Sequence, residues 1–221
     1  MIDVVLAHSG VTDAGEWDDV APHLAREHRV VTVDLWRAGS IAKLVLDAIP
    51  GERAALVGTS FGGRGVLEAA SASPERVSAI VIIGTNPFGW SEAVREVAQE
   101  ENALCEAGRF DDAARLMVRA WLVGARRSEE DVPAELRERV FAMQRAAYEL
   151  PQGEGGPLDV GAVRAPLLYI RGELDWPDVQ RAAERFPNAQ HAVVAGAAHL
   201  PAMERPAEVA RLILDFLAQV Q

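Results

Sequence analysis

The stretch LVGTSFGGRG, residues 56–65, places one serine between glycines directly after an apolar run. Ser60 has Gly58 two positions before it and Gly62 two positions after it, which is the pattern G-x-S-x-G. Glycine and serine are common in ordinary corners between a strand and a helix. The same pattern also occurs where a strained turn lifts a nucleophilic serine above a sheet. The pattern alone does not separate these two interpretations, so the other parts of the chain decide between them.

Six short apolar runs alternate along the chain with segments of helical periodicity. The runs lie at residues 2–7, 30–35, 54–58, 77–84, 166–172 and 189–196. They are apolar enough for parallel strands that are covered on both faces. The alternation predicts an α/β fold, a three-layer sandwich around a mostly parallel sheet of about six strands. Ser40, Pro177 and Pro206 stand at the N-cap or in the first turn of three predicted helices.

The alternation stops between residues 91 and 149, where the periodicity is purely helical. Three helices between two sheet strands predict a cap over one end of the sheet. We therefore assign residues 1–90 and 158–221 to the core and residues 91–157 to an inserted helical cap. Ligands of such sheets bind beyond the carboxyl ends of the strands, so this cap would roof the site.

The net charge and the cysteine content indicate which binding partners and which cellular compartment to expect. The 221 residues carry a formal net charge of −11. An acidic surface repels phosphates and anionic lipid, so we expect a small-molecule substrate and neither nucleic acid nor membrane as a partner. We see no bilayer-length apolar run and no secretory leader. The single cysteine, Cys105, suits a cytoplasmic protein, and no cluster of histidines or cysteines has metal-ligand spacing, so no metal is expected.

A nucleophilic serine needs a base, and His199 is the best placed of the five histidines. It follows the last predicted strand and precedes the last predicted helix, so it emerges at the same sheet edge as Ser60. His23 and His28 flank a surface helix and are expected to be solvated. His191 lies inside a predicted strand, where packing explains it.

The base in turn needs a carboxylate to orient it. Asp175 lies a few residues past the end of the strand in YIRGELDWPDV, residues 169–179. Glu173 is nearer the strand and is the alternative. Asp178 follows the first residue of the next predicted helix, so it is expected to face solvent or cap that helix. The predicted catalytic residues are therefore Ser60, Asp175 and His199, in that order along the chain.

Four segments together resemble the α/β-hydrolase superfamily, specifically its compact group of esterases, lactonases, cofactor-free haloperoxidases and C–C bond hydrolases. The matching segments are residues 6–35, 55–63, 167–179 and 196–217, and they cover nearly the whole predicted sheet region. The order serine, aspartate, histidine is also that of the superfamily. The resemblance implies a catalytic triad without a metal or an organic cofactor.

The resemblance also implies an oxyanion hole. One donor would be the backbone N–H of Phe61, and the other would come from the loop after His8, where spacing favours Gly10 over Val11. His8 resembles the structural histidine of the superfamily, which ties that loop by hydrogen bonds. The superfamily usually has glycine directly after this histidine, whereas this chain has Ser9.

Two further departures from the superfamily concern the sheet and the pocket. The superfamily usually has two further strands at its start, and the first apolar run here resembles its third strand, so the run at residues 30–35 is expected at or near a sheet edge. An exposed edge invites pairing, and a homodimer through it is a hypothesis. The link between Asp34 and Ser60 is also short, which predicts a more open pocket on that side, with Trp36 filling part of the gap.

The resulting prediction is a serine hydrolase that acts on a small, mostly apolar carboxylic ester or lactone through an acyl-enzyme. Two alternatives stay open, because fold and triad do not fix function. One is a C–C bond hydrolase or lyase with the same triad, and the other is a slow-turnover ligand-binding or signalling protein. The candidate pocket walls are Phe88, Trp90, Trp121, Val11 and Trp36. For Trp121, on a predicted cap helix, packing between the cap and the sheet is an equal alternative.

Overall fold

The computed structural model describes residues 2–220, whose main sheet has six parallel strands. These strands are β1 (Asp3–Ala7), β2 (Arg29–Val33), β4 (Ala54–Thr59), β5 (Val77–Ile83), β7 (Leu167–Gly172) and β8 (Gln190–Val194). Their order across the sheet is β2-β1-β4-β5-β7-β8. All five pairings between them are parallel. The predicted fold class and all six predicted strand runs are confirmed.

Helices cover both faces of the sheet because successive strand side chains point to opposite sides. On β1, Val4 and Leu6 face one buried cluster, whereas Val5 and Ala7 face the other. The first cluster is closed by α1 (Ala21–Leu24) and α9 (Pro206–Gln219), and the second by α2 (Ile41–Asp47), α3 (Phe61–Ala72) and α7 (Pro177–Ala183). A single turn, α8 (Pro201–Glu204), precedes α9.

The predicted helix starts are found at the residues that favour them. The Ser40 hydroxyl accepts a hydrogen bond from the Lys43 N–H and caps α2. Pro177 and Pro206 are the first residues of α7 and α9, where the missing N–H has no helical partner to lose. One histidine prediction was wrong: His28 is buried, and desolvation lowers its pKa.

Between β5 and β7 lie α4 (Glu92–Glu106), α5 (Phe110–Met117) and α6 (Ala134–Ala147). A π-helical turn, Val118–Val123, continues α5. A third apolar cluster joins Met117 and Leu122 of this region to Val11 and Leu200, which lie in loops beyond strand ends. The helices therefore pack over the end of the sheet where Ser60 lies.

The segment around residue 155 is tied to the rest of the chain by backbone pairing. It contains β6 (Gly153–Glu154), which pairs in parallel with β3 (Gly39–Ser40) in a separate two-stranded sheet. The Gly153 N–H also donates to the Leu35 carbonyl at 3.1 Å. This segment therefore covers the side of the molecule where the short link predicted an opening.

Within residues 2–220, no helix combines the length and apolar character needed to cross a bilayer.

Candidate active site

Ser60 occupies a strained turn between β4 and α3. Its φ of 50° is the one positive value at a non-glycine residue among residues 2–220. Such backbone costs on the order of 1–3 kcal/mol and persists where the surrounding structure holds it. Here the Ser60 N–H donates to the Ile83 carbonyl at 2.8 Å, which ties the turn to β5.

The glycines of the motif allow the backbone to fold closely around the serine. A Cβ at Gly58 would lie 2.5 Å from the carbonyl carbon of Gly62. A Cβ at Gly62 would collide with the Ala7 carbonyl oxygen on β1. Neither neighbour is a flexible side chain, so the turn requires glycine at both positions. This is the strained corner that the pattern G-x-S-x-G predicts.

His199 and Asp175 form a buried hydrogen-bonded pair. Nδ1 of His199 lies 2.9 Å from Oδ1 and 3.1 Å from Oδ2 of Asp175. The Trp176 N–H also donates to Oδ1 at 2.7 Å. The carboxylate can only accept from Nδ1, so Nδ1 carries the proton and Nε2 carries the lone pair. Nε2 is buried and makes no hydrogen bond to any described residue, Ser60 included, although His199 and Ser60 line the same cavity.

A glycine missed by the sequence analysis makes room for this pair. Gly84 has a φ of 57°, and a Cβ there would lie 3.2 Å from the His199 ring and 3.3 Å from Oδ2 of Asp175. The sequence signal that could have indicated Gly84 was its position directly after β5, because Ser60 and Asp175 follow the strands on either side of β5.

The loop that carries His199 is fastened to the helices above it. Oε1 of Glu204 accepts from the Ala198 N–H at 2.8 Å, and its Oε2 lies 2.5 Å from Nη2 of Arg127. Arg127 also donates to the Gly196 carbonyl at 2.8 Å. Burial raises the pKa of Glu204, and the Arg127 guanidinium opposes that rise. The pair thus fixes the part of the loop that directly precedes the histidine.

The two other acidic candidates have different roles. Glu173 is exposed and accepts the Gly196 N–H at 2.9 Å, so the structure does not pair it with His199. Asp178 was expected to face solvent or cap its own helix, and this was wrong. It is buried and accepts from the N–H and the hydroxyl of Ser91 at 2.7 and 2.9 Å, where it holds the residue before α4.

The predicted oxyanion donors lie together near Ser60. Gly10 and Phe61 line the same cavity as Ser60 and His199. Neither backbone N–H donates to another group among residues 2–220. The Val11 N–H is engaged, because it donates to Oγ of Ser9 at 3.3 Å. These contacts favour Gly10 over Val11 as the second donor.

A buried carboxylate that the sequence analysis missed holds the loop of residues 8–12, which carries Gly10 and is called the oxyanion loop below. Oε2 of Glu16, which is 1% exposed, accepts from the Ser9 N–H at 2.7 Å and from the Thr12 hydroxyl at 2.6 Å. The Ser9 and Thr12 hydroxyls lie 2.9 Å apart. Serine in place of the usual glycine is therefore part of a buried hydrogen-bond network, in which Oε1 of Glu16 has no partner among the described residues. The sequence signal for this network was the group of polar residues Ser9, Thr12 and Glu16.

His8 has the structural role that the resemblance implied. The Leu35 N–H donates to its Nε2 at 2.9 Å, so this nitrogen accepts and Nδ1 carries the proton. Nδ1 lies 2.8 Å from the Ser9 carbonyl. His8 thus ties the oxyanion loop to the end of β2.

The cavity above Ser60 has a volume of about 230 Å³. It brings together three of the predicted pocket walls, Val11, Trp90 and Trp121. Arg64 and Asn86 were missed by the sequence analysis. The full lining consists of Gly10, Val11, Ser60, Phe61, Arg64, Asn86, Trp90, Met117, Trp121 and His199.

The structure does not bring the two other predicted walls, Phe88 and Trp36, to this cavity. The Phe88 ring lies 5.5 Å from that of Phe186 and 3.5 Å below the guanidinium carbon of Arg185. Trp36 stacks on Phe61 at 6.5 Å, and its indole N–H donates to a backbone carbonyl. Phe88 is half-buried and Trp36 is buried, and both rings lie outside the cavity lining, packed against neighbouring side chains.

No three histidine, cysteine, aspartate or glutamate side chains converge as metal ligands in the part of the chain that the structure describes. The groups that line the cavity include the Ser60 hydroxyl, the His199 imidazole paired with Asp175, and the Arg64 guanidinium.

The parallel sheet, the serine turn and the histidine loop are those of α/β hydrolases. The model of the alpha/beta hydrolase family matches residues 4–212. The chain therefore belongs to this family and is a hydrolase.

Among curated proteins, the chain is similar to pimeloyl-[acyl-carrier protein] methyl ester esterases. The Aeromonas hydrophila protein is 25% identical, with 97% of this chain and 95% of the relative covered. The Yersinia enterocolitica protein is 26% identical, with 98% and 93% covered.

Solved structures share the fold. A thermophilic esterase from Thermogutta terrifontis has a TM-score of 0.77 at 21% identity, and the match covers 100% of this chain and 90% of the esterase chain. The enol-lactonase from Burkholderia xenovorans LB400 has a TM-score of 0.77 at 18% identity, with 98% and 91% covered.

Proposed function

We propose that this hydrolase cleaves small, mostly apolar carboxylic esters or lactones through an acyl-enzyme on Ser60. The single observation that carries the proposal is the shared cavity. It joins the Ser60 turn, the histidine whose Nε2 lacks a partner, and the two unengaged backbone N–H groups of Gly10 and Phe61.

In the first half of the reaction, Nε2 of His199 takes the Ser60 proton while Oγ attacks the substrate carbonyl carbon. Asp175 holds the ring in the required tautomer and stabilises the imidazolium that forms. The Gly10 and Phe61 N–H groups receive the negative charge on the former carbonyl oxygen, and one such donor is worth roughly 3 kcal/mol. His199 then gives its proton to the departing oxygen, and the acyl group stays on Ser60.

In the second half, His199 takes a proton from water as that water attacks the acyl carbon. The tetrahedral intermediate again uses the two backbone donors, and the Ser60 oxygen leaves with the proton held by His199. For a lactone, both product ends belong to one molecule, a hydroxy acid.

The cavity wall supports an apolar, neutral substrate. The Trp90 and Trp121 rings meet edge to face at 5.5 Å, and Met117 lies beside them on the cavity wall. The relatives named as methyl ester esterases and the structural neighbour named as an enol-lactonase support esters and lactones as the two substrate classes.

The test compares wild type with Ser60→Ala on p-nitrophenyl acetate, butyrate and hexanoate. We expect wild-type turnover and a loss of about 10⁴-fold or more in kcat for the variant. Ser71→Ala, at the far end of α3, is the matched control and is expected to keep wild-type kinetics. Equal rates for wild type and Ser60→Ala would end the proposal and favour a binding role.

We also propose a cytoplasmic location and a homodimer through β2. The single cysteine supports the first, and the place of β2 at the sheet edge supports the second. Light scattering at high protein concentration tests the dimer, and a strictly monomeric species would contradict it.

A further inference from the structure

Arg64 lies one helical turn after the nucleophile. It is four residues beyond Ser60 on α3, and its N–H donates to the Ser60 carbonyl at 3.0 Å. Residues four apart share one face of a helix, with a rise of about 6 Å between them. Arg64 accordingly lines the cavity above Ser60, and among the described lining residues it alone carries a permanent positive charge.

Two contacts fix the Arg64 guanidinium. Its Nε donates to Oε1 of Glu68 at 2.7 Å, and its Nη2 donates to the Gly156 carbonyl at 3.0 Å. Glu68 is buried, and its Oε2 accepts the Gly156 N–H at 2.8 Å. The segment that carries Gly156 is itself held by the pairing of β6 with β3. The arginine is thus clamped between a helix and a fixed backbone segment.

The third guanidinium nitrogen has no such contact. Nη1 of Arg64 makes no hydrogen bond to any other group in residues 2–220, and the side chain is 37% exposed. A donor that is already fixed loses little conformational entropy when it binds an acceptor. The neighbouring polar wall residue, Asn86, is occupied, since its amide contacts the Gly89 carbonyl and the Phe88 N–H.

The charge around Arg64 indicates what kind of acceptor fits. The Glu68 carboxylate compensates the guanidinium, so the pair has no net charge. The chain as a whole has a net charge of −11, which disfavours the approach of anions. A neutral oxygen acceptor avoids this repulsion and still receives a charge-assisted hydrogen bond.

We propose that Arg64 forms a subsite for a neutral oxygen acceptor, such as a carbonyl, hydroxyl or ether, a few bonds from the scissile carbonyl. This inference rests on the proposed ester or lactone hydrolysis at Ser60. It narrows the substrate class from plain apolar esters to esters or lactones that carry such an oxygen in the acyl or the alcohol part.

The experiment uses matched ester pairs on the intact protein. The acyl pair is p-nitrophenyl 4-oxopentanoate and p-nitrophenyl pentanoate, and the alcohol pair is 3-oxobutyl acetate and butyl acetate, followed by pH-stat. In at least one pair, wild type is expected to prefer the oxo substrate by about tenfold in kcat/KM. Arg64→Met is expected to bring that ratio close to one, and Arg64→Lys to an intermediate value.

The control variant is Arg26→Met, which removes an exposed arginine of equal charge outside the cavity and is expected to keep the wild-type ratio. The inference is overturned if wild type shows no preference in either pair, or if Arg64→Met retains the preference. If wild type has a higher kcat/KM for p-nitrophenyl hemisuccinate than for p-nitrophenyl 4-oxopentanoate, the proposal of a neutral acceptor is overturned, and Arg64 binds a carboxylate instead. Failure of wild type on all esters would instead contradict the proposed hydrolysis itself.

Discussion

Nδ1 of His199 lies 2.9 Å from Oδ1 of Asp175, and the two side chains are buried together beneath the cavity. Replacement of Asp175 by asparagine leaves the shape but lets the amide donate, which favours the wrong imidazole tautomer. We expect Asp175→Asn to lower kcat by about 10⁴-fold with little change in KM. Steady-state kinetics on p-nitrophenyl butyrate measure this.

Glu173→Gln is the matched control, because Glu173 was the alternative carboxylate on the same loop. It contacts the Gly196 N–H and not the histidine, so we expect kcat within about threefold of wild type. A large loss for Glu173→Gln with near-normal activity for Asp175→Asn would reverse the assignment.

The contact of Gly84 with the histidine pair gives a second prediction. Gly84→Ala would place a methyl group 3.2 Å from the His199 ring at a φ of 57°. Gly108→Ala introduces a methyl group at a similar φ of 71° with nothing within 4 Å. Both variants should lose about 1–2 kcal/mol of stability from backbone strain. Only Gly84→Ala should also lower kcat, and equal kinetics in the two variants would show that the contact has no effect on the pair.

Glu16 supports the oxyanion loop from beneath, so its removal should affect the chemical step. Glu16→Ala leaves the buried Ser9 N–H without its acceptor, at a cost of about 1–3 kcal/mol in the free energy of unfolding. Displacement of Gly10 should lower kcat more than it changes KM, since the donor acts on the transition state. Denaturant unfolding and kinetics measure both. A stable variant with normal kcat would contradict this role.

The sequence predicted the sheet, and it predicted that the three candidate residues would lie at one sheet edge, because both depend on local patterns. Each strand is an apolar run. Ser60 directly follows β4, and Asp175 and His199 lie in the loops after β7 and β8, where a parallel sheet gathers its ligand-binding loops. The expectation that Ser60, Asp175 and His199 lie at one sheet edge therefore follows from their places after predicted strands. The glycines at 58 and 62 added a steric reason for the serine turn.

What the sequence could not predict depends on contacts between distant segments. The burial of Asp178 requires Ser91, which is 87 residues away along the chain. Phe88 follows a strand end, as a pocket wall would, but it packs on Phe186. Two-residue strands such as β3 and β6 are too short to leave an alternating pattern. The pairing of β3 with β6, which fixes the backbone beside Arg64, therefore left no signal in the sequence.

The helices between β5 and β7 contain a carboxylate whose ionisation should affect stability. Burial raises the pKa of Glu101, and the hydrogen bond from the Tyr148 hydroxyl at 2.7 Å opposes that rise. A carboxyl pKa that is higher in the folded state means that the folded chain holds the proton more tightly. Ionisation of Glu101 as the pH rises above the usual carboxyl range therefore costs stability.

Glu101→Gln removes this ionisation and keeps an acceptor for Tyr148. Its free energy of unfolding relative to wild type should therefore increase from about pH 4 to about pH 7. Urea unfolding of both proteins across that range measures the difference. A difference that stays constant or decreases with pH would contradict the raised pKa.

The central claim is that Ser60 is a nucleophile activated by His199, and a fluorophosphonate probe tests it without knowledge of the substrate. Intact-mass spectrometry should show one adduct on wild type, peptide mapping should place it at Ser60, and His199→Ala should react far more slowly. Ser60→Ala, folded by circular dichroism, should remain unlabelled. An unlabelled wild type, or equal labelling of the Ser60→Ala variant, would contradict the account.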